Sequence, residues 1–562
     1  MRQMKLSRLA MATSFALSAT LAAGNAFAAS TNPEHPNILL IVADDMGFAD
    51  LGSYGSEIKT PNLDELASSG VRLTNFHTAP ACSPSRAALL TGTDPHQAGL
   101  GNMAEELAPS QENKPGYEGH LNNRVVTLPT LLKDSGYNTY LSGKWHLGKS
   151  ADSLPNARGF DHSFALLTGG ASHWPDMRPA YAPTPDAKAP YSEDDVMLDS
   201  LPDNFKYSSQ FYADKMIEYI SADKDNGAPF FGMLSYTAPH WPVQAPDEAI
   251  EKYRGHYDAG YDQLLQERLE RQKAMGLIPA SAEGAPRPPK GRPWDQLSEE
   301  ERKVEIRAME IYAAMVDEMD AHTGRVFDYL KQNGLYDNTV VIFISDNGPE
   351  GHDLDETWPA DLFPKIRKTI NESNDFSYEQ MGREGSYTLY GPNWSWAGSP
   401  AFQLHKGFPT EGGTRSIGII KTAGIKGGDI NSNLLSVKDI MPTLLELTGV
   451  RHPGTEYNGR KVEPMSGISM LPALNGRADS NDRVLGGELF GKYFVRKGDW
   501  KLVMMPEPYS DGEVQLFDLS TDLGERHDLS QQQPEKLAEM LALWEQYARD
   551  NNVVFPDWIS GY

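Results

Sequence analysis

Two short stretches of the chain carry oxygen-bearing side chains that could bind a metal ion. Asp44 and Asp45 form a pair of carboxylates, and Asp346 is followed directly by Asn347. Ligands of this type suit calcium or magnesium and leave room for an oxygen of a bound substrate. Either pair taken alone is also typical of a turn. Because both pairs follow apolar runs predicted as strands, we favour one shared site for a divalent cation.

The single cysteine, Cys82, marks a second candidate for chemistry. It is followed by Pro84, which fits the first turn of a helix that runs to residue 90. Residue 82 then lies at the positive end of the helix dipole, where an ionised nucleophile or a bound anion is favoured. Arg86 lies one turn further along, on the same face. A lone cysteine is usually a small core residue, but this context favours a chemical role.

The positions of these residues depend on the predicted secondary structure. From residue 36 onward, short apolar runs alternate with helical patterns, which predicts an α/β fold with a large mixed, mostly parallel sheet flanked by helices. The predicted strands are 37–42, 71–76, 137–141, 230–236, 339–344 and 416–421. The predicted helices are 61–69, 84–90, 128–134, 210–221, 298–330 and 437–447. Ligands collect beyond the carboxyl ends of strands in such sheets, where several of the polar candidates stand.

The chain divides into three predicted parts. Residues 1–28 carry three basic residues, an Ala- and Leu-rich stretch and a final Ala-Phe-Ala, a pattern typical of a secretory signal peptide. Residues 29–479 form the predicted catalytic domain. Residues 480–562 form a smaller α+β unit with an antiparallel sheet, with strands predicted at 489–495, 500–505 and 514–518 and a helix at 535–548. We expect the secretion machinery to export the protein to the periplasm or the medium.

Composition excludes several classes of protein. The 562 residues carry a formal net charge of −26, which argues against a nucleic-acid binder and against attraction to anionic lipid. No apolar run after the signal peptide is long enough to predict a membrane span. One cysteine excludes an intrachain disulfide and a zinc site built from several thiolates. In an oxidising compartment such a thiol is buried, paired with another molecule, or chemically altered.

The residues around Cys82 resemble the signature of type I sulfatases, which belong to the alkaline phosphatase superfamily. The signature is Cys82-Ser83-Pro84-Ser85-Arg86, followed by Leu90-Thr91-Gly92. Other blocks similar to that family occur in the family's order: Asp44-Asp45-Met46-Gly47, Gly143-Lys144-Trp145-His146, Pro239-His240, Asp346-Asn347-Gly348, and Lys406 ahead of Glu411-Gly412-Gly413. The stretches at 92–96, 99–103 and 310–320 look more like large bacterial arylsulfatases than animal lysosomal enzymes.

The resemblance implies that Cys82 is a precursor of the catalytic group. In the family, a formylglycine-generating maturation enzyme oxidises this cysteine to an aldehyde, which is then hydrated. One oxygen of the hydrated aldehyde attacks the sulfur of a sulfate monoester, and the other hydroxyl later expels sulfate. The resemblance also implies a divalent cation, with calcium favoured over magnesium. Its implied ligands are Asp44, Asp45, Asp346, Asn347 and an oxygen of the modified Cys82.

The resemblance also implies catalytic or substrate-binding roles for six side chains. Asp346 would take the attacking proton, and Arg86 would stabilise and orient the modified Cys82. Lys144 and His240 would bind sulfate oxygens, while Lys406 would bind sulfate and assist the leaving oxygen. His146 would act as the base in the elimination step. Without the family blocks, a single lysine is usually a solvated surface residue and a single histidine a structural one. The structural interpretation is kept for His77, His96 and His162.

The predicted function is hydrolysis of sulfate monoesters, with an aryl sulfate favoured, so that the chain would be a sulfuric ester hydrolase. One alternative is a phosphonate monoester or phosphodiester hydrolase of the same superfamily, but those relatives look as if they carry His where Asn347 stands. A second alternative is an exported binder of sulfated glycans, which would have no need of the maturation signature. An aromatic pocket for the leaving group could be lined by Trp174, Trp241, Trp394 or Trp396, although large aromatics are generally core residues.

Overall fold

The computed structural model describes residues 35–181, 184–357, 363–477 and 482–558. The predicted signal peptide lies outside these residues. The strands are β1 (Asn37–Ala43), β2 (Val71–His77), β3 (Asn138–Lys144), β4 (His162–Leu166), β5 (Tyr191–Glu193), β6 (Val196–Met197), β7 (Phe230–Ser235), β8 (Thr339–Ser345), β9 (Arg415–Lys421), β10 (Ile430–Asn431), β11 (Leu435–Ser436), β12 (Glu456–Tyr457), β13 (Arg460–Lys461), β14 (Val484–Leu489), β15 (Lys492–Lys497), β16 (Trp500–Met504) and β17 (Val514–Asp518).

The helices range from single turns to one of 34 residues. They are α1 (Pro61–Ser69), α2 (Cys82–Thr91), α3 (Pro95–Ala98), α4 (Leu128–Asp134), α5 (Ser208–Asp223), α6 (Asp247–Glu251), α7 (Tyr261–Ala274), α8 (Glu299–Gln332), α9 (Leu354–Thr357), α10 (Pro364–Ser373), α11 (Gly391–Gly398), α12 (Glu411–Thr414), α13 (Ile440–Thr448), α14 (Leu471–Leu474) and α15 (Pro534–Asp550). Short 3-10 turns lie at Gly52–Tyr54, Ala104–Glu106, Asn156–Arg158, Trp294–Gln296, Tyr336–Asn338, Tyr378–Gln380 and Val437–Asp439. Within the described ranges, no helix is long and apolar enough to cross a membrane.

One large sheet organises the predicted catalytic domain as far as the structure describes it. Its strand order is β10-β2-β9-β8-β1-β7-β3-β4-β5-β6, and β11 also pairs with β2. Every antiparallel pair in this sheet involves β9 or β5, and the other pairs are parallel. The predicted fold class, a large mixed and mostly parallel sheet flanked by helices, is therefore confirmed.

The sheet lies between two apolar cores because its strands are buried on both faces. In β1, Leu39 and Ile41 belong to one core, and Leu40 and Val42 belong to the other. This follows from the alternation of side chains along a strand. Apolar residues of α1, α5 and α8 complete the first core, and those of α2, α4 and α13 complete the second. The strand ends are thereby held rigidly between helices.

The C-terminal residues form a second, antiparallel sheet in the order β14-β15-β16-β17. One face packs against α15 through Val495, Leu502 and Trp544. The opposite face packs against Leu404 and Phe408, which belong to the loop that carries Lys406. This confirms the predicted antiparallel sheet. The domain boundary at residue 480 lies outside the described residues and stays a prediction.

One strand prediction was wrong. The run 489–495 is not one strand, because β14 ends at Leu489 and β15 begins at Lys492. Phe490 and Gly491 between them have φ values of 57° and 80°, the left-handed conformation typical of a two-residue hairpin turn. The apolar side chain of Phe490 hid this turn from the hydropathy pattern.

Candidate active site

The polar candidates meet at one edge of the large sheet. β1 lies between β7 and β8 and runs parallel to both, with Val42 opposite Ser235 and Ile344. The residues that follow these strands therefore leave the sheet side by side. β9 runs antiparallel to β8, so the chain enters it from this same edge and brings Lys406 there. The sheet order thus places segments from the whole catalytic part around one point.

Four oxygen-bearing side chains form the base of the site. The backbone N–H of Asp45 donates to Asp346 Oδ1 at 3.3 Å, and Asn347 Nδ2 donates to Asp45 Oδ1 at 2.7 Å. Asp45 adopts a left-handed conformation with φ of 68°. Asp44, Asp45, Asp346 and Asn347 are all buried. Asn347 Oδ1 is buried and has no hydrogen-bond partner within the described part of the chain.

Two buried lysines each pair with one of these carboxylates. Lys144 Nζ donates to both oxygens of Asp44, at 2.8 and 2.7 Å. Lys406 Nζ donates to Asp45 Oδ2 at 2.9 Å. Burial raises the pKa of Asp44 to about 7, although Lys144 opposes this shift. Burial likewise raises the pKa of Asp45, with Lys406 opposing. The two lysines offset part of the electrostatic cost of the buried carboxylates.

Arg86 holds the third carboxylate through two nitrogens. Its Nε and Nη2 both lie 2.8 Å from Asp346 Oδ2, and Nη1 donates to the carbonyl of Lys144 and to Ser235 Oγ. Burial alone would raise the pKa of Asp346, but Arg86 together with Lys144 and Lys406 brings that pKa below its ordinary value. Asp346 is therefore held as a carboxylate in a fixed orientation.

Cys82 is the first residue of α2 and points its sulfur at this cluster. Sγ lies 3.4 Å from Asp44 Oδ1 and 3.5 Å from Asp45 Oδ1. Ala81 before it is extended, and Gly92 ends the helix in the left-handed conformation with φ of 64°. Every residue of α2 is buried, which fixes the helix against the second core. Burial raises the pKa of the Cys82 thiol well above its ordinary value.

His240 lies beside Lys406. Its Nε2 is 3.4 Å from Lys406 Nζ and 3.5 Å from Asp45 Oδ2. Nδ1 lies 2.5 Å from the carbonyl oxygen of Trp241, which can only accept, so Nδ1 carries the proton and Nε2 accepts from Lys406. Burial, together with Lys406 and Lys144, lowers the pKa of His240 well below its ordinary value.

His146 is the tenth predicted site residue. It follows β3 in a left-handed conformation with φ of 57°. Its Nε2 lies 2.8 Å from Glu105 Oε1, while its Nδ1 is buried without a hydrogen-bond partner among the described residues. Burial lowers the pKa of His146 despite the opposing effect of Glu105. The structure brings the other nine predicted residues into one contact network and places His146 in the wall of the same small pocket as Cys82, His240 and Lys406.

We call this pocket the catalytic pocket; Glu105, Tyr181 and Trp241 also line it. Of the four tryptophans considered for an aromatic wall, Trp241 is thus in place. Trp394 and Trp396 belong to the first core, and Trp174 packs on Tyr207. The histidines interpreted as structural make contacts elsewhere: His77 with Asn75, His96 with Asp94, and His162 with Asp194.

Sequence reasoning missed two carboxylates that contact predicted site residues. Glu350 Oε2 lies 3.2 Å from Lys406 Nζ, and Glu350 Oε1 lies 2.6 Å from His352 Nδ1. Glu105 is the partner of His146. Glu350 follows Asp346 by four residues on the same loop, which is a signal that could have identified it. The sequence around Glu105 gives no sign of this contact, because Glu105 and His146 lie on two different loops.

The donor set fits a divalent cation. Asp44, Asp45, Cys82 and His240 offer ligand atoms that all lie within 4.8 Å of one another. Three buried carboxylates and the partnerless Asn347 Oδ1 are hard oxygen donors of the kind that calcium and magnesium require. Of the predicted ligands, Asp44, Asp45 and Cys82 belong to this close group together with His240, while Asp346 does not, so the full ligand set stays a prediction.

Comparison with known proteins agrees with this geometry. Residues 36–450 match the sequence model of the Sulfatase family. An uncharacterized sulfatase of Schizosaccharomyces pombe is 44% identical over 541 residues, which cover 94% of this chain and 96% of that protein. An arylsulfatase of Klebsiella aerogenes is 38% identical over 472 residues, which cover 83% and 96%. The crystal structure of Ps i-CgsB in complex with k-i-k-neocarrahexaose aligns with a TM-score of 0.64 at 25% identity, covering 94% and 95% of the two chains. The chain belongs to the sulfatase family, as its resemblance to type I sulfatases predicted.

Proposed function

We propose that this chain hydrolyses sulfate monoesters, with aryl sulfates as its substrates, to a phenol or alcohol and inorganic sulfate. The observation that carries the proposal is the position of Cys82, whose Sγ lies 3.4 Å from Asp44 Oδ1 and 3.5 Å from Asp45 Oδ1. The positively charged side chains of Arg86, Lys144 and Lys406 are buried at the same site. A sulfate ester is anionic, so its reaction needs positive groups fixed around the attacked sulfur. The similarity to the Klebsiella aerogenes arylsulfatase supports an aryl leaving group.

We further propose that Cys82 is converted to formylglycine by a maturation enzyme. The buried thiol has a raised pKa, so at neutral pH it would be a poor nucleophile if left unmodified. Formylglycine supplies a hydrated aldehyde whose oxygen serves as the nucleophile. Arg86 and the first turn of α2 hold residue 82 in position for this chemistry. The mature protein would then contain no free thiol. This suits the predicted export to an oxidising compartment, the periplasm or the medium.

The proposed metal site consists of Asp44, Asp45, Asp346 and Asn347, with calcium favoured over magnesium. A bound divalent cation supplies positive charge that polarises a sulfate oxygen. Asp346 is held as a carboxylate by Arg86 and can accept the proton of the attacking group. Its two 2.8 Å contacts with Arg86 restrict rotation of the carboxylate.

The remaining residues bind sulfate and move protons. Lys144 is placed to donate to a sulfate oxygen, and Lys406 can donate to a sulfate oxygen and to the leaving oxygen. His240 would donate from Nε2 only when both of its ring nitrogens are protonated, a form that a bound sulfate anion favours. The proton on His146 Nε2 is directed to Glu105 Oε1, at 2.8 Å, which leaves Nδ1 as the proton acceptor. Burial keeps this imidazole neutral, as a base must be. His146 is therefore suited to the base role implied by its family.

The experiment that tests the proposal combines mass spectrometry with turnover. We expect the peptide that contains Cys82, from protein produced with the maturation enzyme, to lose sulfur and gain an aldehyde. The same protein should release sulfate from 4-nitrophenyl sulfate. The Cys82→Ala variant should lose at least about 10³-fold in kcat/KM, as expected for removal of a nucleophile, and should keep the circular dichroism spectrum of the wild type. Unchanged activity in this variant would exclude the formylglycine mechanism. Failure of the modified protein to act on any aryl or alkyl sulfate would exclude the proposed reaction.

A further inference from the structure

A second cavity adjoins the catalytic pocket and is much larger. It has a volume of about 510 Å³, and it shares Glu105, His146 and Tyr181 with the catalytic pocket. These three residues therefore form the junction between the two spaces. Beyond the junction, Leu100, Leu107 and Leu167 contribute apolar side chains to the cavity. A group that extends from a sulfate held at Cys82 past His146 would enter this cavity.

The junction carries a negative charge. Glu105 is a carboxylate, because the hydrogen bond from His146, a backbone hydrogen bond and Lys144 lower its pKa against the effect of burial. Its partner does not cancel this charge, since burial keeps the His146 imidazole neutral. Glu105 Oε1 lies 2.8 Å from His146 Nε2, and both residues line both spaces, so the carboxylate stands at the junction.

The rest of the cavity offers little positive charge to an anionic ligand. Glu118 also lines it and is paired with Arg124 at 2.8 Å. Among the described residues of its wall, Lys149 is the one lysine, and arginine is absent. Sites that bind polyanionic ligands present several arginines or lysines, because each anionic group needs a partner when it leaves water. This cavity does not have that composition.

We infer that the cavity receives the alcohol part of the substrate and selects an apolar, uncharged alcohol over one that carries a second anionic group. This inference rests on the proposed function and narrows its substrate class. The leucines would pack against a ring or an alkyl chain, and Glu105 would repel a carboxylate or a second sulfate beside it. Fragments of polysulfated glycans are therefore poor substrates for this chain.

The test uses two aryl sulfates that differ in charge but hardly in shape. These are 3-(carboxymethyl)phenyl sulfate and its carboxamide, 3-(carbamoylmethyl)phenyl sulfate; the methylene group keeps the two leaving groups chemically similar. We expect kcat/KM for the carboxamide to exceed that for the carboxylate by about fivefold or more, the repulsion of two charges about 8 Å apart at an effective dielectric constant of about 40. In Glu105→Gln this ratio should fall towards one, whatever the variant does to overall rate. Glu300→Gln, an exposed glutamate at the start of α8, is the matched control and should keep the wild-type ratio.

A binding measurement removes the dependence on turnover. We expect the Cys82→Ala variant to bind the carboxamide ester about fivefold or more tightly than the carboxylate ester in calorimetric titrations, for the same electrostatic reason. This experiment and the wild-type ratio remain informative if Glu105→Gln fails to fold. Equal rates and equal affinities for the two esters, or a preference for the carboxylate, would overturn the inference while sulfatase activity stands. If neither ester nor 4-nitrophenyl sulfate is hydrolysed by the modified wild type, the proposed function fails instead.

Discussion

At the scale of single residues, the site is defined by which charged group contacts which. Asp44 is paired with Lys144, and Asp45 is paired with Lys406. Asn347 differs from these because its Oδ1 is buried without a hydrogen-bond partner within the described residues. A buried amide oxygen normally has a partner, since leaving it unpaired costs free energy. A cation at this position would satisfy Asn347.

We predict that Asn347→Ala weakens cation binding. In the wild type, free Ca²⁺ at about 100 times its dissociation constant should stabilise the fold by about 2.7 kcal/mol and raise the Tm accordingly. Loss of one oxygen ligand should weaken affinity at least about tenfold, so the same Ca²⁺ concentration should give a smaller Tm rise. Differential scanning calorimetry with and without EDTA measures both quantities.

The control for this prediction is Asn333→Ala, at the exposed end of α8. It should respond to Ca²⁺ like the wild type. An equal Ca²⁺-dependent rise of Tm in wild type and Asn347→Ala would show that Asn347 is not a ligand.

At the scale of elements, the loops after the strands are held by close backbone contacts. The loop after β8 meets α12, the turn that precedes β9, where the N–H of Gly348 donates to the carbonyl of Gly413 at 3.1 Å. A Cβ added to Gly348 would lie 1.9 Å from the carbonyl oxygen of Gly412. The two segments can approach this closely only because neither carries a side chain there. This contact sets the distance between Asn347 and the segment that bears Lys406.

We therefore predict that Gly348→Ala separates these segments and damages the site. Overpacking of this kind costs about 1–3 kcal/mol or more, so we expect a lower Tm and a loss of activity larger than the loss of folded protein. Thermal unfolding and kinetics on 4-nitrophenyl sulfate measure these effects. In the control Gly524→Ala, the added Cβ would meet its nearest atom at 3.4 Å, an ordinary contact, and the Tm should change little. A wild-type Tm and rate in Gly348→Ala would contradict this account.

At the scale of the whole molecule, the C-terminal sheet packs against the loop that carries Lys406 into the active site. It packs on Leu404 and Phe408, and Lys492 Nζ donates to the carbonyl of Gly407 at 3.2 Å, so it holds the loop on both sides of Lys406. A second link is His96, whose Nδ1 lies 2.9 Å from Asp94 and whose Nε2 lies 3.2 Å from Glu488 of β14. The histidine thus joins the catalytic part to the C-terminal sheet through its ion pair with Glu488, while Asp94 holds the other ring nitrogen.

We predict that this link stabilises the protein in a pH-dependent way. Burial alone would lower the pKa of His96, but Asp94 and Glu488 raise it to about 9. A raised histidine pKa contributes stability that is fully present below about pH 6.5 and is lost as the pH rises through about 9. The contribution is at most about 3 kcal/mol. The difference in Tm between wild type and His96→Gln should therefore be largest below pH 6.5 and shrink by pH 10.

Thermal unfolding of both proteins across this pH range measures the effect. His527→Gln, which alters an exposed histidine, is the control and should change Tm little. A Tm difference for His96→Gln that stays constant or grows towards alkaline pH would contradict the ion-pair interpretation.

Much of the fold follows from local pattern, because buried strands are apolar along their length. The runs that predict β1, β7 and β8 end within one residue of the observed strands, and Cys82 does begin a helix. Prediction failed where an apolar residue occupies a turn, as Phe490 does. It also failed to identify Glu105, whose contact with His146 spans 41 positions in the sequence. Such contacts depend on how loops pack, which the hydropathy pattern of the sequence does not predict.

The sequence by itself determined the residue types of the site, their order along the chain and the strands that precede most of them. The relative position of Cys82 and Arg86 follows from local sequence, because one helical turn puts both side chains on one face. Only the tertiary structure decided the pairings, such as Asp45 with Asp346, 301 positions apart, and Lys406 with Asp45, 361 positions apart. The order of strands and the antiparallel direction of β9 select these partners. Both arise from packing of the two cores over the whole sheet, which local sequence does not encode.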